Sequence, residues 1–274
     1  MCRNFKCAPL PFVGQKWFFV RDFAEVLGTV KNDVDTVVDL FGGSGLLSHT
    51  AKAALPNARV VYNDFDGYSE RIANIPTTNR ILAEIRPLLA GIPDHQRLPA
   101  ELKEKILGIV ARYAGKGFVD YQTVSRSLLF SGKWAKSLED MRKQSFYNGI
   151  RQSDYDAEGY LDGLEVVSMD YRELFKQHRD NPRALFVLDP PYLSTDCGMY
   201  EGWWKLRDYL DVLTLLPGTR YIYFTSEKSQ LVELCAWLGE NHFDGSPMDG
   251  AEIRTRRNTI NYSASFQDIM VIRV

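Results

Sequence analysis

The sequence predicts an α/β protein built on a doubly wound, mostly parallel sheet, interrupted by a mainly helical insertion. Three observations lead there. Short β-branched runs recur along the chain, and four of them place an aspartate at or near their carboxyl end. Helical patterns lie between those runs. One stretch, residues 71–162, contains helical patterns and no strong strand pattern.

The strand candidates are continuous in Val, Ile, Leu and aromatic residues, as strands covered on both faces by helices should be. They are TVVDLF from Thr36, ARVVYND from Ala58, LEVVSMD from Leu164, ALFVLD from Ala184, YIYFTS from Tyr221 and FQDIMVIRV from Phe266. GLLSHTAKAAL, YLDVLTLL and SQLVELCAWL supply helices between them. Alternation of β and α in this order implies parallel strands joined by helical crossovers. In the insertion, NRILAEIRPLLAGI, AELKEKILGIVARYA and DYQTVSRSLLF read as helices, the last with Asp120 as its N-cap. The expected division is therefore a catalytic domain of residues 1–70 and 163–274, with an inserted domain of residues 71–162.

Composition narrows the function classes. The chain has 274 residues, 45% apolar and 25% charged, an ordinary globular balance. No run approaches the about 18 apolar residues of a membrane span, and MCRNFKCAPLPFVGQKW has no apolar leader core. A cytoplasmic protein without membrane partners is expected. Cys2, Cys7, Cys197 and Cys235 form no CxxC pair, and His49, His95, His178 and His242 are scattered, so no metal site is expected. Net charge is −2, yet residues 71–150 carry 13 Lys/Arg against 7 Asp/Glu. Such a local excess suits either a phosphate-facing surface or a solvated helical face.

Ligands of an open α/β sheet bind beyond the carboxyl ends of its strands. Asp39, Asp64, Asp170 and Asp189 all fall at that edge. A single such aspartate is commonly a turn former or helix cap; four along one rim form a row of acceptors suited to hydroxyl and amino groups. DLFGGSG, Asp39 to Gly45, is a glycine loop leading into a helix, but it is not G-x-G-x-x-G. Asp39 would repel a pyrophosphate, whereas a ligand with both an ammonium and a carboxylate fits an acid beside a helix N-terminus. Asp64, about twenty residues on, is placed to accept from ribose hydroxyls. A nucleoside joined to an amino acid meets these requirements, and S-adenosylmethionine is such a ligand.

With these elements in view, the chain resembles the Dam-like DNA adenine methyltransferases. The resemblance rests on Asp189-Pro190-Pro191-Tyr192 as the [DNS]-PP-[YFW] motif, DLFGGSG as cofactor loop, PFVGQK from Pro11 to Lys16 as the upstream lysine element, SMDYREL around Asp170, and IRTRRNTINYSASFQDIMVI near the C-terminus. It implies a seven-stranded, Rossmann-like class I methyltransferase sheet with the insertion as target-recognition domain. It implies S-adenosylmethionine as cofactor, S-adenosylhomocysteine as product, double-stranded DNA as partner, and a prokaryotic or phage setting such as restriction-modification. Nothing in the sequence chooses between monomer and dimer.

By the same resemblance, Phe12 and Lys16 touch cofactor, Lys16 near its carboxylate. Asp39, Gly43 and Gly45 hold the methionine end, Asp64 the ribose and Asp170 the adenine amine, with Phe41, Gly42, Ser44, Tyr171 and Asp189 also counted among the cofactor-binding residues. Phe12 stands where relatives often carry tryptophan. Asp189 and the Pro190 carbonyl accept the two protons of the target amine, Pro191 stiffens the turn, and Tyr192 stacks on the flipped base. The turn-prone segment with Arg254, Arg256, Arg257 and Asn258 is expected to meet DNA phosphates, as are Lys133 and Lys136 in the insertion. Trp203 and Trp204 are assigned to core or to a covering helix. Alternatives are a methyltransferase acting on RNA or on the cytosine 4-amino group, and a nucleic-acid-binding protein with a retired site. Aspartate in place of the serine common in cytosine enzymes favours adenine.

Overall fold

The computed structural model describes residues 5–130, 133–191, 204–241, 246–261 and 264–274. In chain order the elements are α1 (Val20–Thr29), β1 (Thr36–Asp39), α2 (Leu46–Ala54), β2 (Arg59–Asn63), α3 (Tyr68–Ala73), α4 (Ile75–Ile85), α5 (Ala100–Ala114), α6 (Tyr121–Arg126), α7 (Leu138–Lys143), β3 (Leu164–Val167), α8 (Tyr171–His178), β4 (Ala184–Leu188), α9 (Leu206–Leu213), β5 (Arg220–Ser226), α10 (Leu231–Glu240), β6 (Glu252–Asn261) and β7 (Ala264–Arg273). They form two compact units: residues 1–7, 14–67 and 161–274, and residues 8–13 with 68–160.

The first unit carries a seven-stranded sheet in the order β3-β2-β1-β4-β5-β7-β6. The pairings from β3 to β5 are parallel, while β7 runs antiparallel to both β5 and β6. Strands β1 and β4 are wholly buried because each face meets its own apolar layer. Alternate residues go to opposite faces. Thus Val38, Phe186, Leu188, Tyr221 and Tyr223 join Leu174, Phe175, Tyr209 and Val212 on one side. Val37, Leu185, Val187, Ile222 and Phe224 join Phe23, Val26, Leu27, Leu47 and Ala51 on the other. Helix α1 was not among the expected elements, although Phe23, Val26 and Leu27 at i, i+3 and i+4 give it one apolar stripe.

The expected strands TVVDLF, ARVVYND, LEVVSMD and ALFVLD stop earlier than read, at Asp39, Asn63, Val167 and Leu188, so Asp64, Asp170 and Asp189 lie just past their strands. A larger correction concerns the segment with Arg254, Arg256, Arg257 and Asn258. It is not a turn-prone loop but strand β6, paired along its length with β7. Its alternation of Ile253 and Thr255 with arginines is hidden by charge, and an edge strand tolerates charge because half its backbone faces no neighbour. The seventh strand that the resemblance implies is therefore this one.

In the second unit, α4 lies against α5 and α6, and α5 lies against α7. Ile75, Ile81, Leu82, Ile85, Ile106, Leu107, Val110, Val124 and Met141 are its buried apolar side chains on these helices. Asp120 caps α6, accepting from the Thr123 amide at 3.0 Å. Two isolated bridges, Arg97 with Tyr147 and Leu129 with Phe146, accompany the helices. Residues 8–13 belong to this unit rather than to the sheet. The Tyr68 hydroxyl donates to Leu10 O and accepts from Leu10 N–H, and Arg71, ion-paired with buried Asp120, donates to Pro11 O. No helix among the described residues is long and apolar enough to cross a membrane.

Candidate active site

Strands β2 and β3 lie to one side of β1, and β4 and β5 lie to the other, so the crossovers reverse direction between β1 and β4. Two adjacent parallel strands whose connections leave in opposite directions open a crevice at their carboxyl ends. Asp39 ends β1 and Asp189 follows β4 immediately, one on each side of that crevice.

Asp39 is fully buried. Its Oδ2 accepts from Ser48 Oγ of α2 at 2.6 Å, while Oδ1 has no well-formed hydrogen bond among the described residues. Burial, the largest cause, pushes its carboxyl up to about 7, and the nearby Asp189 charge adds to the rise. The Ser48 bond and the Phe41 amide act the other way.

Asp189 is paired with Lys16, whose Nζ donates to Oδ2 at 2.7 Å and to the Gly14 carbonyl at 2.8 Å. The side chains are 8% and 17% exposed, so this is an ion pair largely removed from water. Burial raises the Asp189 carboxyl above its ordinary value, the Lys16 ammonium opposes that rise, and Asp268 on β7 reinforces it. Pro190 is buried and Pro191 half-buried; neither has an amide hydrogen to offer a ligand. Tyr192 lies outside the described residues.

The glycine loop is stitched to the strand beside it. Gly42 N–H donates to Asn63 O, and the Tyr62 hydroxyl donates to Gly43 O at 2.7 Å. A Cβ on Gly42 would meet the Tyr62 ring at 2.2 Å, so this glycine is required by the aromatic ring beneath the loop. That modifies the sequence argument, in which the glycines chiefly admit a ligand. Gly43 and Gly45 have φ of 48° and 72°, a left-handed region where side chains are strained, and Gly45 is the N-cap of α2. Ser44 is buried in the same turn.

Asp64 is buried, and its Oδ1 lies 3.1 Å from the Tyr62 hydroxyl. Asp170 is different. It caps α8, accepting from the Arg172 amide at 2.8 Å, and its half-exposed side chain also faces the Arg172 guanidinium. Tyr171 follows with a buried hydroxyl that has no hydrogen-bond partner among the described residues, and burial pushes it up to about 12.

Sequence reasoning missed one residue at this rim, Asn63, and the packing together of a second set whose members it named singly. Asn63 ties three loops together: its amide donates to Leu40 O and Met169 O, and its Oδ1 accepts from Met169 N–H, each at 3.0 Å. An asparagine ending an otherwise apolar buried strand was the available signal. The second set is an aromatic cluster in which Phe41 meets Tyr171 at 4.9 Å and Trp204 at 5.6 Å, with Trp204 stacked on Tyr171. Trp204 packs against the apolar layer below, as its assignment to the core anticipated. Trp203 lies outside the described residues.

Of the remaining candidates, Phe12 belongs to the second unit, where it meets Tyr68 edge-on. Lys133 and Lys136 are exposed in that unit, beside Trp134, over which Arg126 lies at 5.8 Å. Arg256 of β6 forms a two-point ion pair with Asp22 of α1, at 2.6 and 2.7 Å, and Arg254 pairs with Glu252. Arg257 is exposed on the same strand, and the backbone of Asn258 pairs with that of Phe266 on β7.

The chain is 41% identical over 249 residues to a protein of Haemophilus influenzae (strain Rd) named "Putative methyltransferase", a match covering 88% of this chain and 83% of that relative. No family model matches the chain.

Proposed function

The chain belongs to the methyltransferase family of this Haemophilus relative, and from that premise we propose that it is a site-specific DNA adenine methyltransferase using S-adenosylmethionine. The observation that carries the reading is the pair of acids, Asp39 fully buried and Asp189 largely removed from water, on the two sides of the crevice between β1 and β4.

The cofactor fits the Asp39 side of the crevice. A fully buried carboxylate oxygen without a well-formed hydrogen bond is costly unless a donor arrives, and an ammonium supplies one. The N-terminus of α2, capped by Gly45, carries partial positive charge suited to the carboxylate of the same amino acid. Asp64, buried at the next strand end, is the acceptor for ribose hydroxyls. Bound there, S-adenosylmethionine supplies an electrophilic methyl on a cationic sulfur and leaves as the neutral thioether.

The Asp189 side addresses the acceptor. An adenine amine is a poor nucleophile because its lone pair is delocalised into the ring. Asp189 Oδ1 and the Pro190 carbonyl accept its two hydrogens and direct the lone pair away from the ring plane. With the cofactor in place, the amine nitrogen would take the methyl while the electron pair of the carbon–sulfur bond stayed on sulfur, and Asp189 or water would take the nitrogen proton. Pro190 and Pro191 contribute by omission, since an amide N–H beside the amine would compete for the same acceptors. Catalysis of this kind is positioning and fixed electrostatics. A base paired in a duplex must first be flipped out, at about a few kcal/mol, and Tyr192 is the residue the motif assigns to stacking on it. The second unit, with its basic excess and its Lys133, Lys136 and Trp134, is the proposed target-recognition part, together with Arg254, Arg256, Arg257 and Asn258 of β6.

Sequencing the DNA of cells that express the protein, with a readout sensitive to N6-methyladenine, tests the proposal. Methylated adenine within one recurrent short sequence is expected. Unmodified adenine throughout, in cells with confirmed expression of folded protein, would overturn it.

A further inference from the structure

On the reading just given, we propose that Lys16 is a positioning residue that holds Asp189 ionised and aims its second oxygen at the substrate amine. Four charged or titratable groups face the Asp189 carboxyl group. Lys16 reaches it from the segment before α1, Asp39 faces it from the end of β1, Asp268 from β7, and Tyr223 from β5. Of these four, Lys16 alone is a cation. Burial and Asp268 both favour the neutral carboxyl, so the charge on Asp189 depends on the ammonium.

The proton matters to the reaction. An ionised carboxylate has only acceptor sites, whereas a protonated one presents an O–H donor to a substrate N–H donor. A neutral Asp189 would therefore meet the amine with the wrong polarity on one oxygen. Lys16 also fixes direction. Its Nζ occupies Oδ2 at 2.7 Å and is held on a second side by Gly14 O at 2.8 Å. Gly14 has φ of 82°, a left-handed geometry that presents that carbonyl to the ammonium. With Oδ2 engaged, Oδ1 is the oxygen left for the amine. The resemblance assigned Lys16 to the carboxylate of the cofactor; the carboxylate it meets in this structure is that of Asp189.

Carbon-13 NMR of the aspartate carboxyl groups, with Asp189→Asn to assign the resonance, reads the charge state without any cofactor or substrate. In Lys16→Met the Asp189 titration should move to higher pH, and in Lys16→Arg it should return toward the wild type. Methyl transfer by Lys16→Met should fall about tenfold or more at pH 6.5 and recover to within about threefold at pH 9, as expected when each pH unit changes the ionised fraction tenfold. An Asp189 titration unchanged by Lys16→Met, or a rate loss equal at both pH values, would overturn the assignment. If Lys16→Met does not fold, the double variant Lys16→Met/Asp189→Asn decides. A folded double variant supports the assignment, because it shows that a lone buried carboxylate was the defect; an unfolded one overturns it in favour of a purely structural lysine. A wild type that methylates no adenine while its Asp189 titration still depends on Lys16 removes the adenine reading and supports the assignment of the charge.

Discussion

The four strand-end aspartates divide into a central pair and a flanking pair. Asp39 and Asp189 sit at the crevice between β1 and β4, both pushed toward the neutral form by burial. Asp64 and Asp170 sit beyond β2 and β3, and Asp170 is half-exposed with its oxygens engaged by Arg172. Residue type is the same at the ends of β1, β4 and β3, yet the central pair is removed from water while Asp170 is half-exposed. The reason is topological. Strands β1 and β4 are covered on both faces, so an acid at their ends loses water, whereas β3 is an edge strand with exposed residues.

The contrast can be broken most sharply at Asp189. Asp189→Ala removes the proposed acceptor and leaves the buried Lys16 ammonium uncompensated. Methyl transfer should drop about a thousandfold, the scale for loss of a transition-state hydrogen-bonding group, with stability lowered by about 3 kcal/mol. Transfer kinetics at saturating cofactor, on protein shown folded by circular dichroism, measure this. A loss of less than tenfold would place the reaction elsewhere.

Asp39 gives the next largest effect, and it depends on pH. Its folded carboxyl titrates at about 7 against an ordinary 3.8, so between those values the folded chain binds a proton that the unfolded chain has released. The stability it contributes is present below about 3.8 and is lost as pH rises through about 7. Asp39→Asn should remove this decline, worth on the order of a few kcal/mol, as read by urea unfolding at pH 5 and pH 8. An identical pH dependence in the variant would show that Asp39 is ionised when buried.

Asn63 tests what holds the rim together. Asn63→Ala deletes three hydrogen bonds at a buried position and should cost about 2–3 kcal/mol, since backbone groups are left without partners. A cost under about 0.5 kcal/mol would mean that these loops do not depend on the stitch.

The flanking pair gives the smallest effect. Asp170→Ala removes the α8 cap, an expected loss of about 1 kcal/mol. If Asp170 also receives the cofactor's adenine amine, cofactor affinity falls by about threefold to tenfold, while transfer at saturating cofactor stays unchanged. A large fall in the saturated rate would erase the distinction between centre and flank.

Much of the architecture was legible because it is written in short-range patterns. The Val-rich runs around Val38, Val61 and Val187 announce buried strands, and the Thr123 amide does meet Asp120 as a capping residue should. Strand β6 was not legible, since its arginines mask the alternation and its place at the edge depends on pairing with β7. The aspartates of the rim could be read, but not which of them would be buried, because that follows from strand order. Gly42 illustrates the same limit. Its need for a missing side chain is set by Tyr62, twenty residues away in sequence and directly beneath the loop in the fold. Lys16 could be suspected of binding a carboxylate, but its pairing with Asp189 joins residues 173 positions apart.

The central claim is that the Asp189 side of the crevice receives an adenine amine. Incubating the protein with methyl-tritiated S-adenosylmethionine and duplex DNA, then digesting to nucleosides, tests it most directly. The account predicts that the label elutes with N6-methyl-2′-deoxyadenosine. Label in N4-methyl-2′-deoxycytidine, or none in DNA although cofactor binding is confirmed by calorimetry, would contradict it.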